Sequence, residues 1–175
     1  MTDIRNEKLA RIELLVLDVD GVLTDGTIVI NGDGSEAKSF HTLDGHGIRL
    51  WQRAGGRTAL LSGRTSGPTA IRAAALDIEH VFQEVHHKLP KMQEFLSEIG
   101  LEPQRVAYIG DDLPDLPVMR YVGFSAAVAD AVAEVRRYAD YVTVRRGGRG
   151  AVREVIEMLL RASGRWDSLM ERYLA

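Results

Sequence analysis

Short, unbroken apolar runs recur along this chain, each followed by a longer stretch whose apolar residues return at helical spacing. Leu14–Leu17, residues 58–61 and residues 106–109 are the clearest runs, with His80–Phe82 and residues 141–144 weaker. A strand with one face in water alternates apolar and polar side chains, so an unbroken run predicts a strand covered on both faces. The stretches between them, at residues 47–53, 69–76, 90–99, 116–121, 131–138 and 149–161, predict amphipathic helices. Strand, helix, strand in repetition builds right-handed crossovers and a parallel sheet sheltered by helices. The pattern therefore predicts an α/β, Rossmann-like three-layer sandwich with a mainly parallel sheet. Val152, Val155, Ile156 and Leu159 share one helical face and belong to its core.

One segment breaks the alternation. Residues 27–30, then Asn31-Gly32-Asp33-Gly34, then residues 36–40 predict a β-hairpin around an Asn-Gly turn. Inserted directly after the first strand, it is a flap of about residues 26–40 over the sheet edge. A tail of about residues 163–175 ends the chain, and its Trp166, Leu169, Met170, Tyr173 and Leu174 are expected to dock.

At 175 residues the chain suits one domain, residues 1–175, and no linker or repeat divides it. The absence of cysteine excludes a disulfide scaffold, a thiolate nucleophile and a Cys-based zinc site. A net charge of −3 argues against nucleic acid as a partner, because phosphate-backbone binding leaves a basic footprint. No run approaches the roughly 18 apolar residues of a membrane helix. The N-terminal stretch is polar and lacks the apolar core of a signal peptide, so a cytoplasmic location away from membranes is expected.

In open parallel sheets, ligands bind beyond the carboxyl ends of the strands. Three strands here end in chemistry: Asp18-Val19-Asp20-Gly21-Val22-Leu23-Thr24, Ser62-Gly63-Arg64, and Gly110-Asp111-Asp112-Leu113-Pro114-Asp115. Asp18 and Asp20, joined by Asp111, would repel one another unless a hard divalent cation stood among them, and an all-oxygen donor set favours magnesium. An aspartate can also attack phosphorus and form an acyl-phosphate. Asp18 suits that role, with Asp20 protonating the leaving oxygen and later deprotonating water. Ser62 supplies a hydroxyl for a phosphate oxygen. Among Lys8, Lys38, Lys88 and Lys91, Lys88 follows a strand and opens a helix, which places it at the same edge. His86-His87 reads as surface or loop histidine.

These motifs together resemble those of the haloacid dehalogenase superfamily of phosphatases. Thr24-Asp25-Gly26, the hairpin, Asp44-Gly45-His46-Gly47-Ile48-Arg49 and Gly147-Gly148-Arg149-Gly150 are similar, within it, to the capless 3-deoxy-D-manno-octulosonate 8-phosphate (Kdo 8-phosphate) phosphatases. The resemblance runs from about residue 14 to residue 160. It implies Asp18 as nucleophile and Asp20 as acid/base, working through an aspartyl-phosphate. It implies Mg2+ held by the Asp18 carboxylate, the Asp20 carbonyl and Asp111, with Asp115 behind them or bridged by water. Ser62 and Lys88 would bind the transferring phosphate. Asp20, His41, Thr42, Leu43, Asp44, Gly45, Arg49, Arg64 and Arg72 would join Lys88 at the sugar acid, whose anionic groups suit arginine forks.

The resemblance also implies a homotetramer packed through its hairpins, with Arg149 gating a neighbour's site. Leu43 stands where relatives commonly have arginine, His41 where they have Asn, and Ser62 where they have Thr. Those departures touch the substrate and leave the phosphoryl chemistry intact, so a nine-carbon sugar-acid phosphate is the alternative substrate. A phospho-acceptor signalling domain is the alternative of another class.

Overall fold

The computed structural model describes residues 4–174. In chain order it contains α1 (Ile4–Ala10), β1 (Leu14–Leu17), β2 (Val29–Ile30), β3 (Glu36–Ala37), α2 (Thr42–Arg53), β4 (Arg57–Leu61), α3 (Gly67–Ala75), β5 (His80–Phe82) and α4 (Lys88–Glu98). The second half adds β6 (Val106–Gly110), α5 (Leu116–Met119), β7 (Phe124–Ala127), α6 (Ala133–Tyr138), β8 (Tyr141–Val142), α7 (Ala151–Ala162) and α8 (Trp166–Leu174). Six strands form one sheet in the order β5-β4-β1-β6-β7-β8, and every neighbouring pair is parallel.

β1 is the hub. All four of its residues are buried, as the unbroken apolar run predicts. The chain leaves β1 toward β4 and β5, then returns to add β6, β7 and β8 on the other side. Crossovers leaving β1 and β6 in opposite directions open a crevice at the carboxyl ends of those two strands. Register aligns them: Leu17 lies opposite Ile109 on one side and Leu60 on the other. The residues that follow, Asp18, Asp111 and Ser62, are therefore delivered to one edge.

Three features depart from the periodicity, and the tail departs from expectation at Leu174. Phe124–Ala127 is a buried strand that its small residues do not announce; pairing with β6 and β8 makes it one. β8 ends at Val142, two residues short of the expected run. α2 begins at Thr42 rather than residue 47, because His41 caps it: its Nδ1 accepts the Leu43 N–H at 3.2 Å. Glycines at 45 and 47 had disguised that first turn. The tail forms α8, with Trp166 buried and Leu169 and Met170 packed on the core. Tyr173 reaches Arg53 and His46, whereas Leu174 remains 80% exposed and does not dock within this chain.

The hairpin is present, with Val29 opposite Ala37 and Ile30 opposite Glu36. Its outer surface is apolar: Ile28, Val29 and Ile30 are 47%, 46% and 70% exposed.

Candidate active site

A tight loop carries the first motif out of β1. The N–H groups of Val22, Leu23 and Thr24 all point to the Val19 carbonyl. The Thr24 hydroxyl accepts from the N–H groups of Gly21 and Gly26 and donates back to the Val19 carbonyl. Val19, Val22 and Leu23 anchor this turn in the core. Gly21 holds φ +87°, and a Cβ there would lie 2.0 Å from Asp111 Oδ2. The backbone is left-handed at the one place where a side chain would collide with the facing carboxylate.

Within that frame Asp18 is 8% exposed. Its Oδ1 accepts the Val19 N–H at 2.7 Å, and its Oδ2 lies 2.9 Å from Lys88 Nζ. Lys88 opens α4, is itself buried, and also meets Asp115 Oδ1 at 2.7 Å. Burial alone would pull the Lys88 ammonium down; the Asp18 and Asp115 carboxylates more than reverse this, so its pKa lies above the usual value. Burial, followed by repulsion from Asp115, pushes Asp18 up to about 7 against the pull of Lys88. Burial and the charges of Asp18 and Asp115 push Asp111 to about 8.

Asp18, Asp111 and Asp115 each offer an oxygen within 4.8 Å of the others, a group able to hold a metal ion. The three are not equivalent. Asp115 Oδ1 accepts from Lys88 and from the Tyr108 hydroxyl at 2.6 Å, and Oδ2 accepts the N–H groups of Asp111 and Asp112. Four donors fill its acceptor positions, so Asp115 orients its neighbours. Asp111 Oδ1, by contrast, is buried with no hydrogen-bond partner. Crowded, desolvated carboxylates with an unspent oxygen fit a hard cation held directly by Asp18 and Asp111, with Asp115 behind.

Asp18, Asp20, Ser62, Arg64, Lys88 and Asp111 line one cavity of about 340 Å³. Ser62 hangs from the end of β4, its N–H on the Phe82 carbonyl and its own carbonyl on the Val85 N–H. Its hydroxyl is shared with the backbone of Arg64. Arg64 places its guanidinium 3.9 Å from Asp20 Oδ2 and 3.4 Å from Glu36 Oε1. His86, expected at the surface, is exposed and also lines this cavity.

The remaining expected contacts do not line it. Thr42 and Leu43 are exposed in the first turn of α2. Arg72 lies over the Phe40 ring at 5.8 Å, its guanidinium 2.2 Å from where a Cβ on Gly45 would stand. Asp44 is 1% exposed, and both its oxygens are spent on the backbone of α7: Oδ2 on the Gly150 N–H at 3.0 Å, Oδ1 on the Arg153 N–H at 2.9 Å. Arg49 is not brought to this cavity; it pairs with Asp77 and the Ala75 carbonyl beside a separate hollow of about 620 Å³. Arg149 is well exposed and reaches Asp25 at 3.5 Å. The glycines around it serve close approach: a Cβ on Gly147 would stand 1.7 Å from the Gly21 carbonyl oxygen, and the Gly148 N–H bonds the Val22 carbonyl.

Three groups escaped the sequence reading. Tyr108 is an apolar-looking strand residue whose hydroxyl supports Asp115. Glu36 and Lys38 come from the hairpin, and only the alternation after its turn hinted that they face inward.

The chain matches the model of haloacid dehalogenase-like hydrolases over residues 67–156. It is 46% identical to the 3-deoxy-D-manno-octulosonate 8-phosphate phosphatase KdsC of Escherichia coli K12, over 91% of this chain and 85% of that protein. A probable YrbI family phosphatase from Pseudomonas syringae superposes with a TM-score of 0.95 at 46% identity, covering 97% of each chain. The 3-deoxy-D-manno-octulosonate 8-phosphate phosphatase of Moraxella catarrhalis, solved with magnesium, phosphate and KDO, gives a TM-score of 0.94 at 38% identity, covering 96% of this chain and 97% of that one. On the match of more than half its length and on this identity across nearly all of it, the chain belongs to the haloacid dehalogenase-like hydrolases.

Proposed function

We propose that this chain is a magnesium-dependent phosphomonoesterase that hydrolyses Kdo 8-phosphate to Kdo and phosphate. The observation that carries the reading is the placement of Asp18: at the end of the central strand, against Lys88 at 2.9 Å, and beside an unspent Asp111 oxygen. The names of the similar proteins supply the substrate, and the Moraxella catarrhalis complex supplies the metal.

In this mechanism Asp18 attacks phosphorus. The bond from phosphorus to the sugar oxygen breaks, and Asp20 gives that oxygen its proton. Water then attacks the aspartyl-phosphate, Asp20 takes a proton from it, and the bond from phosphorus to Asp18 breaks to release phosphate. Asp18, Asp111 and the Asp20 carbonyl would hold Mg2+, which supplies charge neutralisation at the phosphoryl oxygens. Lys88 offers a fixed positive charge there, and Ser62 a hydroxyl. Asp115 keeps Lys88 and the Asp111 backbone in place.

Arg64, which lines the cavity, would meet the sugar acid's carboxylate, and we assign Arg72 the same role on the resemblance alone. We read the whole chain as one hydrolase domain acting in the cytoplasm. Among the described residues no helix is long and apolar enough to cross a membrane. We infer a homotetramer closed through the hairpins, supported by the exposed Ile28, Val29 and Ile30.

Leu43, exposed at the entrance to α2, is the observation that keeps a nine-carbon sugar-acid phosphate as a second substrate. Phosphate release is therefore measured from both compounds, with magnesium and with chelator. A chelator-sensitive preference for Kdo 8-phosphate supports the reading; preference for the nine-carbon compound keeps the chemistry and replaces the substrate. Retention of phosphate on the protein without release from either would favour a phospho-acceptor instead.

A further inference from the structure

Burial alternates along the returning arm of the hairpin: Glu36, Lys38 and Phe40 face the body of the protein, while Ala37 and Ser39 face outward. Each inward residue meets a charged group, two of them on residues that line the cavity. Glu36 meets Arg64, Phe40 lies beneath Arg72, and Lys38 Nζ stands 2.5 Å from Asp20 Oδ1 and 3.7 Å from Glu36 Oε1. The Lys38 side chain is fully buried. Lysine is seldom buried without a partner, and a hairpin with two-residue strands has no core of its own to hold one. What holds it is Asp20.

We propose that Lys38 is a positioning residue for Asp20, fixing which of its oxygens carries the proton that is transferred. This rests on the reading of Asp20 as the acid and base. An ammonium group only donates hydrogen bonds, so Oδ1, facing Lys38, must accept. A proton on Asp20 is then confined to Oδ2, a buried atom without a hydrogen-bond partner on a residue that lines the cavity. As the ester bond breaks, that proton passes from Oδ2 to the leaving oxygen, and Lys38 stabilises the charge left on the carboxylate. In the second half, Oδ2 takes a proton from the attacking water. Without Lys38, the nearest remaining cation is Arg64, 3.9 Å from Oδ2. Asp20, already facing it through Oδ2, would be free to close on it, and the transferable proton would lose its fixed position.

The leaving group makes this testable. An alkyl phosphate such as Kdo 8-phosphate needs its leaving oxygen protonated; dinitrophenyl phosphate does not. With the full chain and saturating magnesium, kcat/KM reports the steps up to the first P–O cleavage for both esters. Lys38→Met is expected to lower kcat/KM for the alkyl ester by about 10²-fold, the low end of what general acid–base catalysis supplies, and for the aryl ester by under about 3-fold. In an Asp20→Asn background, adding Lys38→Met should change neither. Equal losses on both esters, or a further alkyl loss in the Asp20→Asn background, would overturn the proposal and leave Lys38 a fastener of the hairpin. Lys38→Gln, which keeps a donor without the charge, repeats the comparison if the Met variant does not fold. Failure of the unaltered protein to release phosphate from either ester would instead refute the phosphatase reading.

Discussion

Gly21→Ala tests whether the Asp18 loop and Asp111 form one fitted unit. A Cβ built on Gly21 would lie 2.0 Å from Asp111 Oδ2 and 2.5 Å from its Cγ, where contacts under 3.0 Å essentially do not occur. Asp111 would have to retreat by at least about 1 Å, taking with it the oxygen that has no other partner. Two costs follow, and they are separable. The left-handed backbone at φ +87° costs an L-residue about 1–2 kcal/mol. For a chain of this size that lowers Tm by about 2–8 °C. Moving Asp111, the carboxylate proposed to hold the metal, should cost far more in function, about 10²-fold in kcat, the scale of a 1 Å misplacement.

The assay pairs thermal melting, with and without magnesium, with metal-dependent phosphate release. Gly55→Ala is the control: its φ is +85°, yet nothing lies within 4 Å of its Cβ position. It should lose a similar Tm and keep full turnover and the full magnesium-induced rise in Tm. Gly21→Ala should lose turnover and most of that rise. A Gly21→Ala protein with unaltered magnesium response and turnover would refute the fitted-loop reasoning.

Other perturbations address the same site. Folded Asp18 and Asp111 keep protons up to about pH 7 and 8, while the unfolded chain releases them near 3.8. The native state therefore binds more protons across this window, and metal-free Tm should fall as pH rises from about 4 to 8. Saturating magnesium should flatten or reverse the slope; a rising metal-free Tm would contradict the assignment. Asp115→Asn leaves Lys88 paired with Asp18 but turns an amide NH2 toward donors that the carboxylate now satisfies, and should cost about 1–3 kcal/mol in urea unfolding, with kcat falling as well. A loss under about 1 kcal/mol would show that its four bonds are not coupled. Arg149→Ala removes only an exposed pair to Asp25, so stability should change by less than about 1 kcal/mol. If Arg149 gates substrate, KM rises while Tm holds; unchanged kinetics would reject the gate.

The sheet was legible because β1, β4 and β6 carry unbroken apolar runs, and the convergence of three motifs followed from strand ends alone. What escaped depends on partners distant in sequence. Phe124–Ala127 has little strand character of its own and is a strand because two neighbours pair with it. Lys38 lies 18 residues beyond Asp20, and although the hairpin is expected to cover the sheet edge, its pattern does not say which loop residue Lys38 meets. The same dependence reshapes how the Asp44-Gly45 and Gly147-Gly148-Arg149-Gly150 motifs are understood. By resemblance the first contacts the sugar acid and the second gates a neighbour's site. In the structure they brace each other: Asp44 holds the first turn of α7 through Gly150 and Arg153, and the glycines just before that turn press on Gly21 and Val22. A chain of contacts thus runs from α2 through α7 to the loop that carries Asp18. Residues that a motif makes look like ligand contacts here also brace the loop that carries Asp18. Asp44→Asn should therefore lower kcat for phosphate release by way of that loop, and an unchanged kcat would show that the brace does not reach Asp18.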